Sequence, residues 1–276
     1  MKDFRNLERL IEKHFGSGIG TAVTAARGPG RVNLIGEHTD YNEGYVLPMA
    51  IDFSVVVAGR ARGDRKIKLY SADYDEIAEA DLAGGYGQGN PRWSLYVEGV
   101  ARTLEEQLGV ELPGFEAVVS GDVPQGAGLS SSAALEVAAG FFLNAVNGLG
   151  VPERDLALYG QMAENNYLGM RCGIMDQFAS ALCERGSALF LDCRSLKYEH
   201  VPVELDDCIF MILNTNKSRE LVGSEYNDRR RACEEGVKLI GRAEPGVKAL
   251  RTSRRRCFRA MKRSCLRRSR GSAGTS

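Results

Sequence analysis

Apolar residues recur along the chain with two different spacings, and the switches between them mark the elements. Phe4, Leu7, Leu10, Ile11 and Phe15 fall three or four positions apart and predict an amphipathic first helix. Strands are predicted around 21–26 and 31–35, at 52–60 (DFSVVVAGR) and at 65–71 (RKIKLYS). The Gly- and Pro-rich segment 84–93 interrupts them as a loop. Tyr96, Val97, Val100, Leu104 and Leu108 then share one face of a helix over 94–108. FEAVVSG at 115–121 reads as a strand, and a Gly-rich turn at 124–129 leads into an apolar helix over 131–146. Helices at 153–168 and 174–184 flank the turn GMRCG, followed by strands at 187–193 and 207–214 and a charged helix over 222–243. No strict β–α–β alternation runs through this order, so the fold class expected is α+β.

Composition narrows the setting. A length of 276 residues, 43% of them hydrophobic and 26% charged, suits a soluble globular protein of one large or two small domains. No apolar run reaches the roughly 18–20 residues of a membrane span. The start, MKDFRNLERLIEKHFG, lacks the basic segment and apolar block of a signal peptide. Seven cysteines without a CxxC pair fit a reducing compartment, so a cytoplasmic protein is expected. The net charge of zero hides a step: residues 251–276 hold nine Arg, one Lys and no acid, leaving 26 basic and 36 acidic residues in 1–250. An acidic body disfavours nucleic acid as its partner. Three readings of the basic tail stand: an arm for nucleic acid or a membrane surface, a solvated extension, or a segment foreign to the preceding fold through a shifted reading frame.

Three segments concentrate polar chemistry. VPQGAGLSSSAALEVA at 123–138 joins a strand, a glycine turn, three serines and a helix start. Gly126 and Gly128 let backbone N–H groups approach an anion, and the helix dipole favours negative charge there. Ser130, Ser131 and Ser132 add hydroxyls for phosphate or magnesium. No GK[ST] ending makes this a Walker A loop, and an ordinary N-capped helix is the bland alternative. In RGPGRVNLIGEHTDYNEGYVLPMAI at 27–51, Arg31, Glu37, His38 and Asp40 crowd between glycines. Such a set can meet several sugar hydroxyls in a small volume, or simply form a polar loop between strands. In AENNYLGMRCGIMDQFASALC at 163–183, Glu164 lies late in one helix and Asp176 in the first turn of the next, where an acid commonly only offsets the dipole. Cys172 reads as a small buried side chain, since no base accompanies it.

Taken together, these segments resemble the galactokinases, of the superfamily shared with homoserine, mevalonate and phosphomevalonate kinases. GRVNLIGEHTDYNEGYVLPMAI is similar to the family's sugar-binding signature, VPQGAGLSSSAALEVA to its ATP-phosphate loop, GMRCGIMDQFAS to the segment bearing its catalytic aspartate, and LVGSEYNDRRRACEE to a later sugar-contacting segment. The resemblance implies ATP-dependent phosphorylation of galactose at its C1 hydroxyl, with magnesium as cofactor and no obligatory protein partner. By it Asp176 would be the base and Arg31 its neighbour that stabilises transition-state charge. Glu37, His38, Thr39, Asp40, Gly173 and Tyr226 would form the sugar pocket. Gly126, Ala127, Gly128, Leu129, Ser130, Ser131 and Ser132 would wrap the phosphates, with Ser71 and Trp93 near the nucleotide and Ser132 and Glu164 on the metal. The likeness ends near Leu250, before a third Gly-rich motif that the family carries. The expected organisation is therefore 1–180 as an N-terminal domain, 181–250 as an incomplete second one, and 251–276 outside the fold. A non-catalytic sugar- or nucleotide-binding remnant is the competing expectation.

Overall fold

The computed structural model describes residues 4–17, 22–87, 89–214 and 222–253. In chain order the elements are α1 (Phe4–Phe15), β1 (Thr24–Asn33), β2 (Tyr45–Val46), β3 (Pro48–Ala61), β4 (Lys66–Ser71), β5 (Glu76–Asp81), α2 (Arg92–Leu108) and β6 (Phe115–Gly121). They continue with α3 (Ser131–Val146), α4 (Glu153–Tyr167), α5 (Met175–Leu182), β7 (Ser187–Asp192), β8 (Lys197–Pro202) and α6 (Val222–Ala243). The class is α+β, as the pattern predicts.

Strict alternation in the central strands produces three layers. A five-stranded sheet runs β1-β3-β6-β4-β5, and β6 pairs parallel with β4 but antiparallel with β3. Val57, Leu69, Ala117 and Val119 point to one face, where α2, α3 and α4 cover them. Ala58, Tyr70 and Val118 point to the other and meet Leu7 and Ile11 of α1. A smaller sheet, β2-β7-β8, packs Val46, Leu189 and Leu191 against Phe178 and Ala157. The expected division at 180/181 falls inside this second core.

Some predicted elements differ from those found. The strands expected at 21–26 and 31–35 are one strand, β1, with a register shift between Pro29 and Arg31. The shift lies where β1 meets other backbone: a Cβ on Gly28 would stand 2.1 Å from the Ala134 carbonyl oxygen, and one on Gly30 2.9 Å from that of Leu129. Residues 207–214 belong to no sheet among the described residues, and Ile209 and Leu213 are each 79% exposed. β5 and β8 were absent from the expectation because both are polar edge strands without an apolar alternation. Arg251, expected to start a tail outside the fold, instead pairs with Asp192, donates to the Glu43 carbonyl and lies 4.1 Å from the centre of the Tyr45 ring. The rest of that tail, 254–276, lies outside the described residues. No helix among the described residues is long and apolar enough to cross a membrane.

Candidate active site

Arg31 and Asp176, 145 positions apart, form a forked pair: Nε donates to Oδ1 at 2.8 Å and Nη2 to Oδ2 at 2.7 Å. β1 delivers the guanidinium and the first turn of α5 delivers the carboxylate. Arg31 also holds the Gly/Ser loop, through Nη1 to the Gly128 carbonyl at 2.7 Å and its backbone N–H to the Leu129 carbonyl at 3.0 Å. Ser130, at φ 61° and ψ 48°, donates its hydroxyl to Asp176 Oδ2 at 2.5 Å. The geometry combines a fixed cation, a half-buried carboxylate and a loop rich in N–H donors, which suits a reaction at an anionic centre.

The loop between β1 and β2 turns sharply at Gly36 (φ 119°), where a Cβ would stand 2.7 Å from the Tyr45 carbonyl oxygen. It presents Glu37 and His38 exposed and Asp40 half-buried. Asn33 donates to Glu37 at 3.3 Å, and Tyr41 and His38 Nδ1 lie 2.6 Å apart. The Thr39 hydroxyl lies 2.6 Å from the Gly36 carbonyl and 2.7 Å from that of Tyr45, so its single proton stays within the loop. The Asp40 carboxylate occupies the space above Gly173, where a Cβ would stand 1.8 Å from Oδ2. Burial, and then the charge of Asp176, hold the Asp40 carboxyl above the usual carboxylate range. Tyr226 accepts a hydrogen bond from the Gly173 N–H at 3.2 Å and sets its ring tilted beside His38 and edge-on to Tyr41. His38, Asp40, Gly173 and Tyr226 thus lie together, and the charge of Asp176 reaches both Asp40 and Tyr226, while Glu37 meets Asn33 on the exposed side of the loop.

A cavity of about 510 Å³ opens on the other side of the Gly/Ser loop. Ser71, Trp93, Gly126, Ser131 and Ser132 line it, as do Asp73, Tyr74 and Arg92, which the pattern did not single out, and Tyr96, which it read only as part of a helix face. Ala127, Gly128, Leu129 and Ser130 do not line it. The loop therefore divides, its first half and the helix start facing the cavity and its second half facing Arg31 and Asp176.

Behind the loop lies a buried polar knot. Gln177 Nε2 donates to Glu136 Oε2 at 2.8 Å and to Glu164 Oε2 at 3.0 Å. Burial, then the charge of Glu164, raises the Glu136 carboxyl well above its ordinary range. Glu164 is raised too, by burial first, while bonds from Cys172, Gln177 and Ser132 oppose the shift. The Cys172 thiol is pushed up by burial and by Glu164, which fits a packed side chain rather than a nucleophile. The described residues contain no cluster of three or more His, Cys, Asp or Glu of the kind that holds a metal alone.

With this geometry in view, the likeness to known proteins is informative. The galactokinase galactose-binding signature matches residues 12–61, and the GHMP kinases N terminal domain matches residues 95–184. The galactokinase of Chloroflexus aurantiacus is 41% identical over 256 residues, covering 92% of this chain and 64% of that relative. The galactokinase of Haemophilus influenzae is 46% identical over 223 residues, covering 81% of this chain and 56% of that relative. The crystal structure of Lactococcus lactis galactokinase complexed with galactose superposes with a TM-score of 0.83 at 39% identity, over 91% of this chain and 65% of that one. Over 92% of its length the chain is similar to a galactokinase. It spans between 56% and 64% of the length of these two curated relatives. Mevalonate kinase of Methanococcus jannaschii, at 19% identity and a TM-score of 0.56, shares the fold.

Three features of this site escape the sequence patterns. Ser130 bonds a carboxylate 46 positions away, and Gln177 ties two acids from two other helices. Arg230 donates to the Arg171 carbonyl at 2.7 Å and lies 5.7 Å from the Tyr41 ring centre, fixing α6 against the 169–173 turn. Only contact across the fold makes these visible.

Proposed function

We propose that this chain transfers the γ-phosphoryl group of ATP to the C1 hydroxyl of galactose, giving galactose 1-phosphate and ADP. The observation that carries the reading is the forked Arg31–Asp176 pair, tied through Gly128, Leu129 and Ser130 to the same loop whose Gly126, Ser131 and Ser132 line the cavity. The galactose bound in the Lactococcus relative supports the choice of sugar. Phosphoryl transfer asks the protein for alignment and for neutralisation of spreading charge more than for covalent work. Asp176 takes the proton of the C1 hydroxyl, and the sugar oxygen displaces ADP from the γ-phosphorus. Arg31 faces the charge that develops there. Glu37, His38, Asp40, Gly173 and Tyr226 orient the sugar, while Thr39 braces the loop through its two carbonyl contacts. Gly126, Ser131 and Ser132 cradle the phosphates, with Ser71 and Trp93 along the nucleotide.

Magnesium fits this set. Glu164 is a buried carboxylate none of whose partners among the described residues is a cation, and the Ser132 hydroxyl bonds to it. Magnesium ordinarily takes one or two carboxylates, substrate phosphates and water. Ser132 and Glu164 would hold it, and it would neutralise phosphate charge.

The test is D176N. Asn keeps the shape of Asp but accepts no proton. Single-turnover transfer is expected to vanish while calorimetric galactose binding remains measurable. Residual transfer within tenfold of the parent removes Asp176 from the base role. A binding-only protein is the second reading, suggested by the exposed apolar run at 209–213. Galactose binding in the parent without any turnover would establish it.

A further inference from the structure

We propose that Ser130 is not a phosphate ligand but the positioning residue of Asp176, and that it selects Oδ1 as the oxygen that receives the substrate's proton. The inference rests on the transfer reading given above.

Ser130 occupies the position where a serine ordinarily caps a helix, accepting from the N–H two or three residues on. Here its side chain makes no cap bond. The hydroxyl turns away and donates to Asp176 Oδ2 at 2.5 Å. That direction is fixed by a left-handed backbone at φ 61°, a region a serine enters only under constraint from its surroundings. Ser131 and Ser132 line the nucleotide-sized cavity and Ser130 does not. The three serines, alike in sequence, therefore divide between two tasks.

The lone pairs of Asp176 show what this does. A carboxylate offers about two acceptor sites on each oxygen. Oδ2 accepts from Arg31 Nη2 at 2.7 Å and from Ser130, so both of its sites are used. Among the described residues, Oδ1 accepts only from Arg31 Nε at 2.8 Å. The unused site is on Oδ1, and without Ser130 the carboxylate would have two inequivalent ways to present an open oxygen. A fixed single acceptor is what proton transfer within hydrogen-bond reach needs.

The experiment compares S130A and S130G in the full chain. Gly relieves the left-handed backbone and Ala does not, while both remove the hydroxyl. A positioning role predicts that kcat falls about 10- to 100-fold in both, with the KM for ATP and for galactose unchanged within about twofold. A raised KM for ATP at unchanged kcat, in either variant, makes Ser130 a phosphate ligand and overturns the proposal. Loss in S130A alone assigns the effect to the backbone and overturns it too. A second measurement does not depend on turnover: urea unfolding of S130A, D176A and the double variant. Coupling between the two sites should make their effects non-additive by more than about twofold in the unfolding equilibrium constant. Additive effects overturn the contact itself. If the parent shows no turnover, the transfer reading fails, and the cycle still decides whether Ser130 holds Asp176.

Discussion

Glu136 sits fully buried, and among the described residues neither its Oε1 nor the Oε1 of Gln177 beside it has a hydrogen-bond partner. Two orphaned acceptors facing an otherwise bonded pair mean that one more donor would complete it. The substitution Glu136→Gln supplies that donor, since a Gln amide can give to Gln177 Oε1 while accepting from Gln177 Nε2. The pH dependence follows from burial, which raises the native carboxyl above its unfolded value. A raised acid stabilises the fold fully below about pH 4, its unfolded range, and loses that contribution as pH rises through the native value. Urea unfolding from pH 5 to 8 should therefore show the parent weakening with pH more than E136Q, and E136Q at least as stable at neutrality. Equal slopes would assign the proton elsewhere. At this scale the site was half legible. Arg31, Asp40, Asp176 and Glu164 stand out because charged residues crowd among glycines in short stretches. Ser130 and Gln177 do not, because nothing in an N-cap serine or a helical glutamine signals a partner more than 40 positions away.

Between elements, β1 approaches α3 closely at Gly28, where a Cβ would run into the helix backbone. An added methyl would overlap the Ala134 carbonyl, and neither backbone can yield as a side chain can. Gly28→Ala should cost about 2–4 kcal/mol in chemical denaturation, from forced separation of packed elements. Because α3 carries Ser131 and Ser132 at its start, nucleotide affinity should fall in the same variant, with galactose affinity less affected. A loss confined to stability would show that the helix can shift without moving its first turn. Helices were the legible part of the fold: α1, α3 and α6 start and end where periodicity and glycine place them. The strands were less so. β1 looked like two strands because Gly28, Pro29 and Gly30 break its alternation, and 207–214 looked like one because its apolar residues are β-prone, though a strand also needs a neighbour.

Over the whole molecule, Arg251 fastens the end of the described chain to the smaller sheet. It joins Asp192 of β7, the carbonyl of Glu43 and the ring of Tyr45. Arg251→Ala should lower the unfolding midpoint by about 2–4 °C at neutral pH. Arg251 holds the Asp192 carboxyl below the usual range. A lowered acid stabilises the fold above its unfolded value, about pH 4, and loses that contribution as pH falls. The gap between parent and variant, followed by thermal scans, should close in acid; a gap that stays constant would put the effect in the Tyr45 contact instead. The long reach of the Arg31–Asp176 pair bears on another matter, the order in which the protein is made. Ribosomes add about 5–20 residues per second, so Arg31 precedes its partner by roughly 7–30 s. In that interval β1 and β3 can already pair, while α3 and α5, which close over β1, are still being synthesised. For those seconds the Gly28 face of the hairpin is bare strand on a nascent chain. That is when a chaperone holding extended segments would find its target, and completion of α3, which lies over Gly28, ends the opportunity.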